Sequence, residues 1–314
     1  MIKKLKKLLL PLILLITIFL AIGCAHERDI EVLRYGKIPN DSVKMIPESD
    51  LSPPKSLSND YNDPVPVSGK VNSAGAEDSA FVMPDGNTLY FFFTPDANVP
   101  VEKQIIDGVT GIYVSRKTNG EWGEPERIIL QDKGKIAGDG CEFVQDNMML
   151  FCSVREGYTG VHWFSAEFKD GKWKNWKNAD FNSDYKVGEL HITRDGNELY
   201  YHSDRPGGKG GLDIWVSKKV NGAWQTPENV AAVNTERDEG WPFVTEDGKE
   251  LWISKDYGLW RSKKVNGEWT EPELVISPLA GEASVDNNGN VYFTHHFYKD
   301  NKMIEADIYV AERK

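Results

Sequence analysis

Carboxylates recur in this sequence beside a glycine that returns at a regular interval. The glycine stands at Gly140, Gly188, Gly240 and Gly281, and Asp78 takes its place in the first interval. The acids that flank it are Glu77, Asp78, Asp139, Glu142, Glu189, Asp238, Glu239 and Glu282. Carboxylates brought together repel one another, which raises some of their pKa values or recruits a positive group. They would bind a cation, a basic side chain or sugar hydroxyls, or else cap backbone N–H groups in a structural role.

Cationic and aromatic side chains follow in segments that should lie near these acids. The candidates for ligand contact are Arg155, His202, Arg205, Trp241 and His295, a mixture typical of a pocket for a polar ligand. His295 and His296 are adjacent on a predicted strand, so their side chains point to opposite faces and do not chelate one metal ion. We expect neither a metal site nor a cofactor.

The elements that position these residues follow from a pattern that occurs five times. Each occurrence opens with a tight-turn dipeptide that supplies positive φ angles, at Asp85-Gly86, Asp146-Asn147, Asp195-Gly196, Asp247-Gly248 and Asn288-Gly289. Each turn precedes an apolar triplet, at Leu89–Phe91, Leu150–Cys152, Leu199–Tyr201, Leu251–Ile253 and Val291–Phe293. Four units continue into a second turn and an outer strand with a tryptophan, at Trp122, Trp173, Trp224 and Trp269. The regular spacing indicates that these tryptophans pack between sheets, whereas Trp241 and Trp176 depart from it.

The fifth unit ends without its outer strand, and a matching segment stands before the first unit. Residues 63–72 precede unit one as residues 226–234 precede unit four, and the spacing from Asn72 to Glu77 equals that from Asn234 to Glu239. Four strands per unit at this repeat length is typical of β-propellers. The sequence therefore predicts an all-β, five-bladed propeller of four-stranded antiparallel blades over residues 62–314. An N-terminal strand would complete the last blade and remove the exposed edges.

The third and fourth units resemble the WD40-like repeat of TolB-type propellers. The residues that carry the resemblance are Asp195–Gly208 and Asp213–Ser217, together with Asn234-Thr235, Asp238-Glu239 and Pro242. The resemblance covers most of residues 63–314 and implies a propeller. The family includes binding modules of the cell envelope and domains attached to enzymes, so the resemblance leaves the activity open.

Two kinds of function are compatible with these residues. No nucleophile elbow or phosphate-binding loop is present, which favours a non-catalytic module that binds an envelope protein or a glycan. However, Glu239-Gly240-Trp241-Pro242 also resembles the acid-bearing segment of arabinanase-like five-bladed glycoside hydrolases. In that alternative Glu239 or Glu189 would be the acid, and Glu77, Asp78 or Asp139 the base.

The first residues are typical of a lipoprotein export signal. Lys3, Lys4, Lys6 and Lys7 precede an apolar stretch that ends in Ala21-Ile22-Gly23-Cys24. The apolar run of about 15 residues is shorter than the ~20 of a spanning helix, although an uncleaved membrane anchor is the alternative. We expect residues 1–23 to be removed, Cys24 to be lipidated, and residues 24–61 to form a flexible tether outside the cytoplasmic membrane, in the periplasm or at the cell surface.

Charge and cysteine content add two further expectations. The formal net charge of −11 argues against nucleic acid as a partner, and we expect a monomer held to the membrane by its lipid. If Asp146-Asn147 is a two-residue turn, Cys141 and Cys152 lie directly opposite each other. An oxidising compartment favours a disulfide there, and two free thiols are the alternative.

Overall fold

The computed structural model describes residues 34–181 and 185–314, which form an almost wholly β structure. The predicted signal peptide and the lipidation residue Cys24 lie outside the described residues. Two short 3-10 turns, at Arg34–Lys37 and Pro47–Ser49, and one short helix α1, at Val101–Gln104, accompany the strands. Within the two described ranges, no helix combines the length and the apolar character needed to cross a membrane.

Eleven strands precede the second described range. They are β1 Lys55–Ser56, β2 Val65–Pro66, β3 Ala76–Val82, β4 Thr88–Thr94, β5 Gly111–Thr118, β6 Glu121–Trp122, β7 Glu126–Arg127, β8 Ala137–Gln145, β9 Met148–Arg155, β10 His162–Lys169 and β11 Lys172–Asn178.

Thirteen strands follow. They are β12 Leu190–Ile192, β13 Glu198–Ser203, β14 Asp213–Val220, β15 Ala223–Trp224, β16 Glu228–Asn229, β17 Gly240–Val244, β18 Glu250–Lys255, β19 Gly258–Val265, β20 Glu268–Trp269, β21 Glu273–Ser277, β22 Ala280–Val285, β23 Val291–Lys299 and β24 Lys302–Ala311.

The predicted tight turns join the first two strands of each repeat. Hairpins β3–β4, β8–β9, β12–β13, β17–β18 and β22–β23 each enclose one of the five dipeptides. Gly86 and Asp146 adopt the positive φ angles that such turns require, 67° and 53°. The turn residues thus set where each sheet begins.

Antiparallel pairing assembles the strands into four hydrogen-bonded sheets. One contains β8 to β11, one β12 to β16, and one β17 to β21 with β1 at its outer edge. The largest joins β22–β24 to β3–β7 through a single parallel bridge between Ala306 and Ala76. The coarse prediction of an all-β structure built from four-stranded antiparallel sheets is therefore confirmed.

The early segment pairs with the last strand, as the sequence predicts. Val65 of β2 lies opposite Val310, and Pro66 lies opposite Tyr309. The Asn72 side chain donates to the carbonyl of Ile308 and accepts from its N–H. Asn234, which precedes the fourth repeat, makes the same two bonds with Ile214 of the third repeat. The match of spacing between the two asparagines therefore reflects one local structure used twice.

The first strands of the repeats lie next to one another in a cyclic order. Strand β3 contacts β8, β8 contacts β12, β12 contacts β17, β17 contacts β22, and β22 contacts β3. Four rings meet on this inner side, Phe81, Phe143, His191 and Phe243, with centroids 4.5 to 6.5 Å apart. Burial lowers the pKa of His191 to about 3, so it is a neutral packing residue, as expected. The arrangement is propeller-like.

Outer-strand tryptophans pack against aromatic residues of a neighbouring repeat. Trp122 of β6 meets Tyr292 of β23 edge-on at 6.1 Å, and Trp269 of β20 meets Tyr200 of β13 at 6.2 Å. The Trp269 N–H also donates to the Tyr200 hydroxyl. Their structural role follows from this contact, in line with their regular spacing.

The described part of the predicted tether is packed rather than free. We call residues 34–61 the strap. Its Arg34 pairs with Glu77, Lys44 with Glu305 and Asp307, and Asp50 with His295. Strand β1 also pairs with β21. The lack of periodicity predicts a flexible segment, whereas in the described structure ion pairs, side-chain hydrogen bonds and the pairing of β1 connect residues 34–61 to the sheets.

Candidate functional site

A β-bulge recurs in the first strand of four repeats. In each bulge the residue after the repeated glycine position has a positive φ angle, at Ser79 (55°), Cys141 (55°), Trp241 (51°) and Glu282 (60°). The strand register shifts there, because two residues of the bulged strand oppose one residue of the partner. Positive φ is uncommon for a residue as bulky as tryptophan, and such strain is concentrated at functional sites.

The bulges open onto a small central cavity. Its volume is about 40 Å³, and it lies against the buried aromatic rings. Its polar lining consists of Ser79, Glu142, Glu189, Trp241 and Glu282. A space of this size admits a single small group such as water or an ammonium.

Glu142 is the most isolated acid of this cavity. Its side chain is 6 % exposed, and neither carboxylate oxygen accepts a hydrogen bond from another residue. Burial raises the pKa of Glu142 well above its usual range, its own backbone N–H opposes this, and the charges of Glu189 and Asp78 add to the increase. A buried carboxyl without a partner is costly, so it calls for an explanation.

Glu189 and Glu282 share this environment. Burial, followed by the charge of Asp78, raises the pKa of Glu189 to about 8, while a hydrogen bond from the Trp241 side chain opposes the shift. Burial and the charges of Asp78 and Glu189 also raise the pKa of Glu282 well above its usual range. Its Oε2 atom has no hydrogen-bond partner. Glu189 is therefore largely protonated at neutral pH, and Glu282 is harder to ionise than an ordinary glutamate.

Asp78 remains ionised in the same cluster. Its Oδ1 atom lies 3.6 Å from Nε2 of His296. Burial raises the pKa of Asp78, but the hydrogen bond and charge of His296 outweigh this and leave the pKa below its usual range. Although burial lowers the pKa of His296, its bond to Asp78 raises it overall. We call Asp78, Glu142, Glu189 and Glu282 the channel acids.

Three other predicted acids have structural partners instead. Glu77 is fully buried and accepts hydrogen bonds from Arg34 at 2.6 Å and from the backbone N–H of Ser73 at 2.9 Å. Glu239 is equally buried and accepts from the backbone N–H and hydroxyl of Thr235. They hold the loop that precedes their strand.

The third of these acids, Asp139, is also buried. It accepts hydrogen bonds from Arg155 and from the Ser153 hydroxyl, both at 2.6 Å. The Arg155 guanidinium is itself buried and stacks on Phe164 and Trp176, each at 4.4 Å. Arg155 and Trp176 are thus parts of a packed cluster and are not presented to a ligand. We call Glu77, Asp139 and Glu239 the capping acids.

His295 also differs from its predicted role. It is fully buried and contacts Asp50 of the strap through Nε2 at 3.0 Å and the Leu279 carbonyl through Nδ1 at 3.1 Å. Its neighbour His296 faces the channel acids instead. The two histidines point to opposite faces of β23, as strand alternation requires, and His295 is the one covered by the strap. No signal in the sequence shows that the strap would cover His295.

Trp241 lies where the cavities of this face meet. One cavity of about 560 Å³ is lined by His162, Asp180, Tyr185, Glu189, His202 and Trp241, among others. A second of about 560 Å³ is lined by Asp78, Lys255, Tyr257, Glu282, His296 and Trp241, among others. Because Trp241 also borders the small central cavity, its ring separates two polar spaces above the channel acids.

His202 positions Trp241. The imidazole is 5 % exposed, its Nδ1 atom accepts the Trp241 backbone N–H at 3.2 Å, and the two rings lie 5.2 Å apart. Burial lowers the pKa of His202 to about 4, which keeps the ring neutral and able to accept this bond. Its contact with the bulge supports the left-handed conformation of Trp241.

The two remaining predicted residues lie at the periphery. Asp238 is exposed, borders the second large cavity and accepts a hydrogen bond from the backbone N–H of Leu212 at 2.8 Å. Arg205 donates to the Tyr201 hydroxyl at 3.1 Å and stacks on Tyr185 and Trp215. Tyr185 lines the first large cavity, and Arg205 packs against the Tyr185 ring without lining that cavity itself.

The two cysteines form a disulfide in the described structure. Cys141 and Cys152 have Cα atoms 5.4 Å apart. They do not lie directly opposite each other, because the bulge places Gly140 opposite Cys152. The disulfide ties the bulge of β8 to β9 at the edge of the site.

Metal chemistry has no prepared set of ligands in the described ranges. No group of three or more histidine, cysteine, aspartate or glutamate side chains there is arranged to hold a metal ion. Oxygen-rich cation sites bring their ligands to 2.3–2.6 Å from the ion, which requires close convergence.

No protein family and no curated protein sequence matches the chain. Among solved structures, it is similar to an endo-arabinase from Bacteroides thetaiotaomicron (TM-score 0.49, 14 % identity, 79 % of this chain and 96 % of that one). It is also similar to a gluconolactonase from Xanthomonas campestris, with a TM-score of 0.47 and 11 % identity, over 83 % of this chain and 95 % of that one. The comparison with a TolB-like protein from Agrobacterium tumefaciens gives a TM-score of 0.40 and 12 % identity, over 79 % of this chain and 78 % of that one. Likeness at this level does not assign an activity.

Proposed function

We propose that this chain is an extracytoplasmic lipoprotein, anchored through Cys24, whose monomeric five-bladed β-propeller binds a glycan over the face that carries Trp241. The cyclic order of β3, β8, β12, β17 and β22 supports five blades. The pairing of β2 with β24 supports closure of the ring by the N-terminal strand. The sequence Ala21-Ile22-Gly23-Cys24 after the apolar stretch supports lipid anchoring through Cys24.

The observation that carries the glycan assignment is the position of Trp241. Its partly exposed ring is held by a left-handed backbone and by His202, between two large cavities. A rigid aromatic face offers apolar contact area, and the carboxyl and imidazole groups around it offer hydrogen bonds to hydroxyls. This combination suits a sugar ring, which has both an apolar face and polar edges.

The capping acids favour binding over catalysis. Glu77, Asp139 and Glu239 were three of the five acids considered for a glycosidase, and each is buried with a partner. A general acid or base must reach the substrate within hydrogen-bond distance. These three carboxylates do not fit that requirement.

A glycoside hydrolase is the second candidate, favoured by two channel acids. The pKa of Glu189 is raised to about 8, while that of Asp78 lies below its usual range. Two carboxyl groups whose pKa values are pushed apart are suited to act as acid and base. In this alternative Glu189 would be the acid and Asp78 the base.

The test uses the full-length protein in a non-ionic detergent and a panel of neutral and charged polysaccharides. Binding is measured by affinity electrophoresis, and turnover by release of reducing ends. We expect at least one glycan to bind, with affinity lowered about tenfold or more by Trp241→Ala. Trp224→Ala, which removes an outer-strand tryptophan, is the matched control and should bind as the wild type does.

The outcomes separate the two candidates. Binding without product release supports a binding module. Release of reducing ends that is abolished by both Glu189→Gln and Asp78→Asn would replace the module with the hydrolase. If no glycan binds and the chain instead retains an envelope protein through Trp241, the glycan assignment is wrong.

A further inference from the structure

The central cavity contains more hydrogen-bond acceptors than the chain supplies with donors. Both carboxylate oxygens of Glu142 and the Oε2 atom of Glu282 are buried without a partner from another residue. Both side chains line the same cavity of about 40 Å³. Buried polar atoms in proteins are nearly always hydrogen-bonded, so three unpartnered acceptors around one small space indicate a missing donor group.

We propose that this cavity receives the primary ammonium group of the ligand, carried on a slender alkyl chain that passes Trp241. The inference rests on the proposed function, in that it takes the Trp241 face as the ligand side. An ammonium has three N–H donors and no acceptor, which matches the three unpartnered oxygens in number. A hydroxyl would supply one donor and leave the other oxygens without partners.

The surroundings of the cavity favour a positive group of this size. Glu189 adds a third carboxyl to its lining, and the partly exposed ring of Trp241 borders it. An ammonium beside an aromatic face gains a cation–π attraction, and a compact charge in a partly buried site is screened little by salt. The rings of Phe81, His191 and Phe243 also line the cavity, and its small volume admits only the tip of a ligand.

An ammonium fits better than a metal ion. Charge-assisted N–H···O bonds span about 2.7–2.9 Å, whereas Ca²⁺ requires six or more oxygens at about 2.3–2.6 Å. The described residues provide no group of three metal-ligating side chains arranged for an ion.

Binding of an ammonium should release protons. The pKa values of Glu142, Glu189 and Glu282 are raised by burial, and the charge of Asp78 contributes to each. A cation in the cavity favours their ionised forms and so lowers these pKa values. Asp78 already has His296 as its partner, so the three glutamates are the groups that titrate on binding.

The experiment titrates the full-length protein in detergent with n-butylammonium, using isothermal titration calorimetry in buffers of different ionisation enthalpy. We expect saturable binding with proton release, and affinity that rises between about pH 6 and pH 9, below the pKa of the amine at ~10. Glu142→Gln and Glu282→Gln should each weaken binding about tenfold or more. Glu268→Gln, which changes an exposed glutamate on β20, should leave it unchanged.

Three comparisons can overturn the inference. Binding of butan-1-ol as strong as that of n-butylammonium would show that charge and donor number are irrelevant. If Glu142→Gln and Glu282→Gln both bind n-butylammonium with unchanged affinity, the ligand does not bind in this cavity. Stoichiometric Ca²⁺ binding that displaces n-butylammonium and is lost in Glu142→Gln would identify a metal site instead.

The result also separates this inference from the proposed function. Glycan binding that depends on Trp241, without any binding of n-butylammonium, overturns the ammonium site alone. Binding of n-butylammonium that depends on Glu142, without any glycan binding, overturns the glycan assignment and supports the ammonium site.

Discussion

Asp139 and Glu142 belong to the same strand, β8, and both are buried, yet their surroundings differ completely. Asp139 accepts hydrogen bonds from Arg155 and Ser153 of the adjacent strand β9. Glu142 lies in the central cavity, where no other residue donates to either of its oxygens. Among the channel acids, Glu282 also has an oxygen without a donor, whereas Glu77 and Glu239 of the capping acids both accept hydrogen bonds.

The role of each repeated acid therefore depends on whether a hydrogen-bond donor lies beside its carboxylate. A carboxylate with a fixed donor contributes to folding, because its burial is compensated by charge and hydrogen bonds. One without a donor opposes folding and is retained in a place where a ligand can compensate it. We therefore expect stability to depend on the capping acids and binding on the channel acids.

The largest effect on stability should come from the buried ion pair of Asp139. Asp139→Asn should lower the free energy of unfolding by about 3–5 kcal/mol, because it leaves the Arg155 guanidinium buried without a counter-charge. Urea denaturation at neutral pH measures the change. Asp170→Asn, at an exposed turn, is the control, and an equal loss in both variants would contradict the division.

A capping acid with an uncharged main partner should matter less. Glu239→Gln should lower the free energy of unfolding by about 1–2 kcal/mol, since its shortest bonds come from Thr235 and Lys255 lies 3.9 Å away. The same denaturation assay applies, with Glu236→Gln in the preceding exposed loop as control. If Glu239→Gln loses ligand binding but keeps the stability of the wild type, Glu239 acts as a channel acid and not as a capping acid.

Among the channel acids, Glu189 should make stability depend on pH with the opposite sign to an ordinary ion-paired carboxylate. Its folded-state pKa of about 8 lies above the unfolded value near 4.5, so the folded state binds more protons between these values. The contribution is fully present below about pH 4.5 and is lost as the pH rises towards about 8.

Replacing Glu189 tests this sign. In Glu189→Gln, the fall in the free energy of unfolding between about pH 5 and pH 8 should be smaller than in the wild type by about 1 kcal/mol or more. Thermal unfolding across this pH range measures the difference. A steeper fall in the variant would show that Glu189 is ionised and paired in the folded protein.

The smallest effect should come from Glu142. Burial raises the pKa of Glu142 well above its usual range and neither oxygen has a donor, so Glu142→Gln replaces one unpartnered polar group by another of the same size. The free energy of unfolding should change by less than about 1 kcal/mol. A loss as large as that of Asp139→Asn would mean that Glu142 is a capping acid after all.

Much of the fold could be predicted because it depends on local sequence. Dipeptides such as Asp85-Gly86 set tight turns through their backbone preferences, and the alternating triplets after them set strands. The outer strand at Val65 could be recognised because the spacing from Asn72 to Glu77 repeats that from Asn234 to Glu239. The position of the strap could not, because it depends on single ion pairs such as that between Lys44 and Asp307.

The site was predicted only as a collection of residues. The sequence brought Asp78, Glu189, Glu282 and Trp241 to one face, but it grouped them with Glu77 and Asp139, which are held by Arg34 and Arg155. It also left His296 out. The bulge is the physical reason, since one extra residue changes the alternation of side chains along the strand and leaves no mark in the hydrophobic pattern.

The sequence by itself determined the repeat, the turns, the strand order within each sheet and the pairing of the early segment with the last strand. These features follow from backbone preferences and a period of two, which each stretch of residues carries within itself. Only the tertiary structure decided which carboxylates find donors and which histidine the strap covers. Arg34 and Asp50 reach Glu77 and His295 from distant parts of the chain, and the bulges decide which carboxylates of a strand meet a donor on the neighbouring strand.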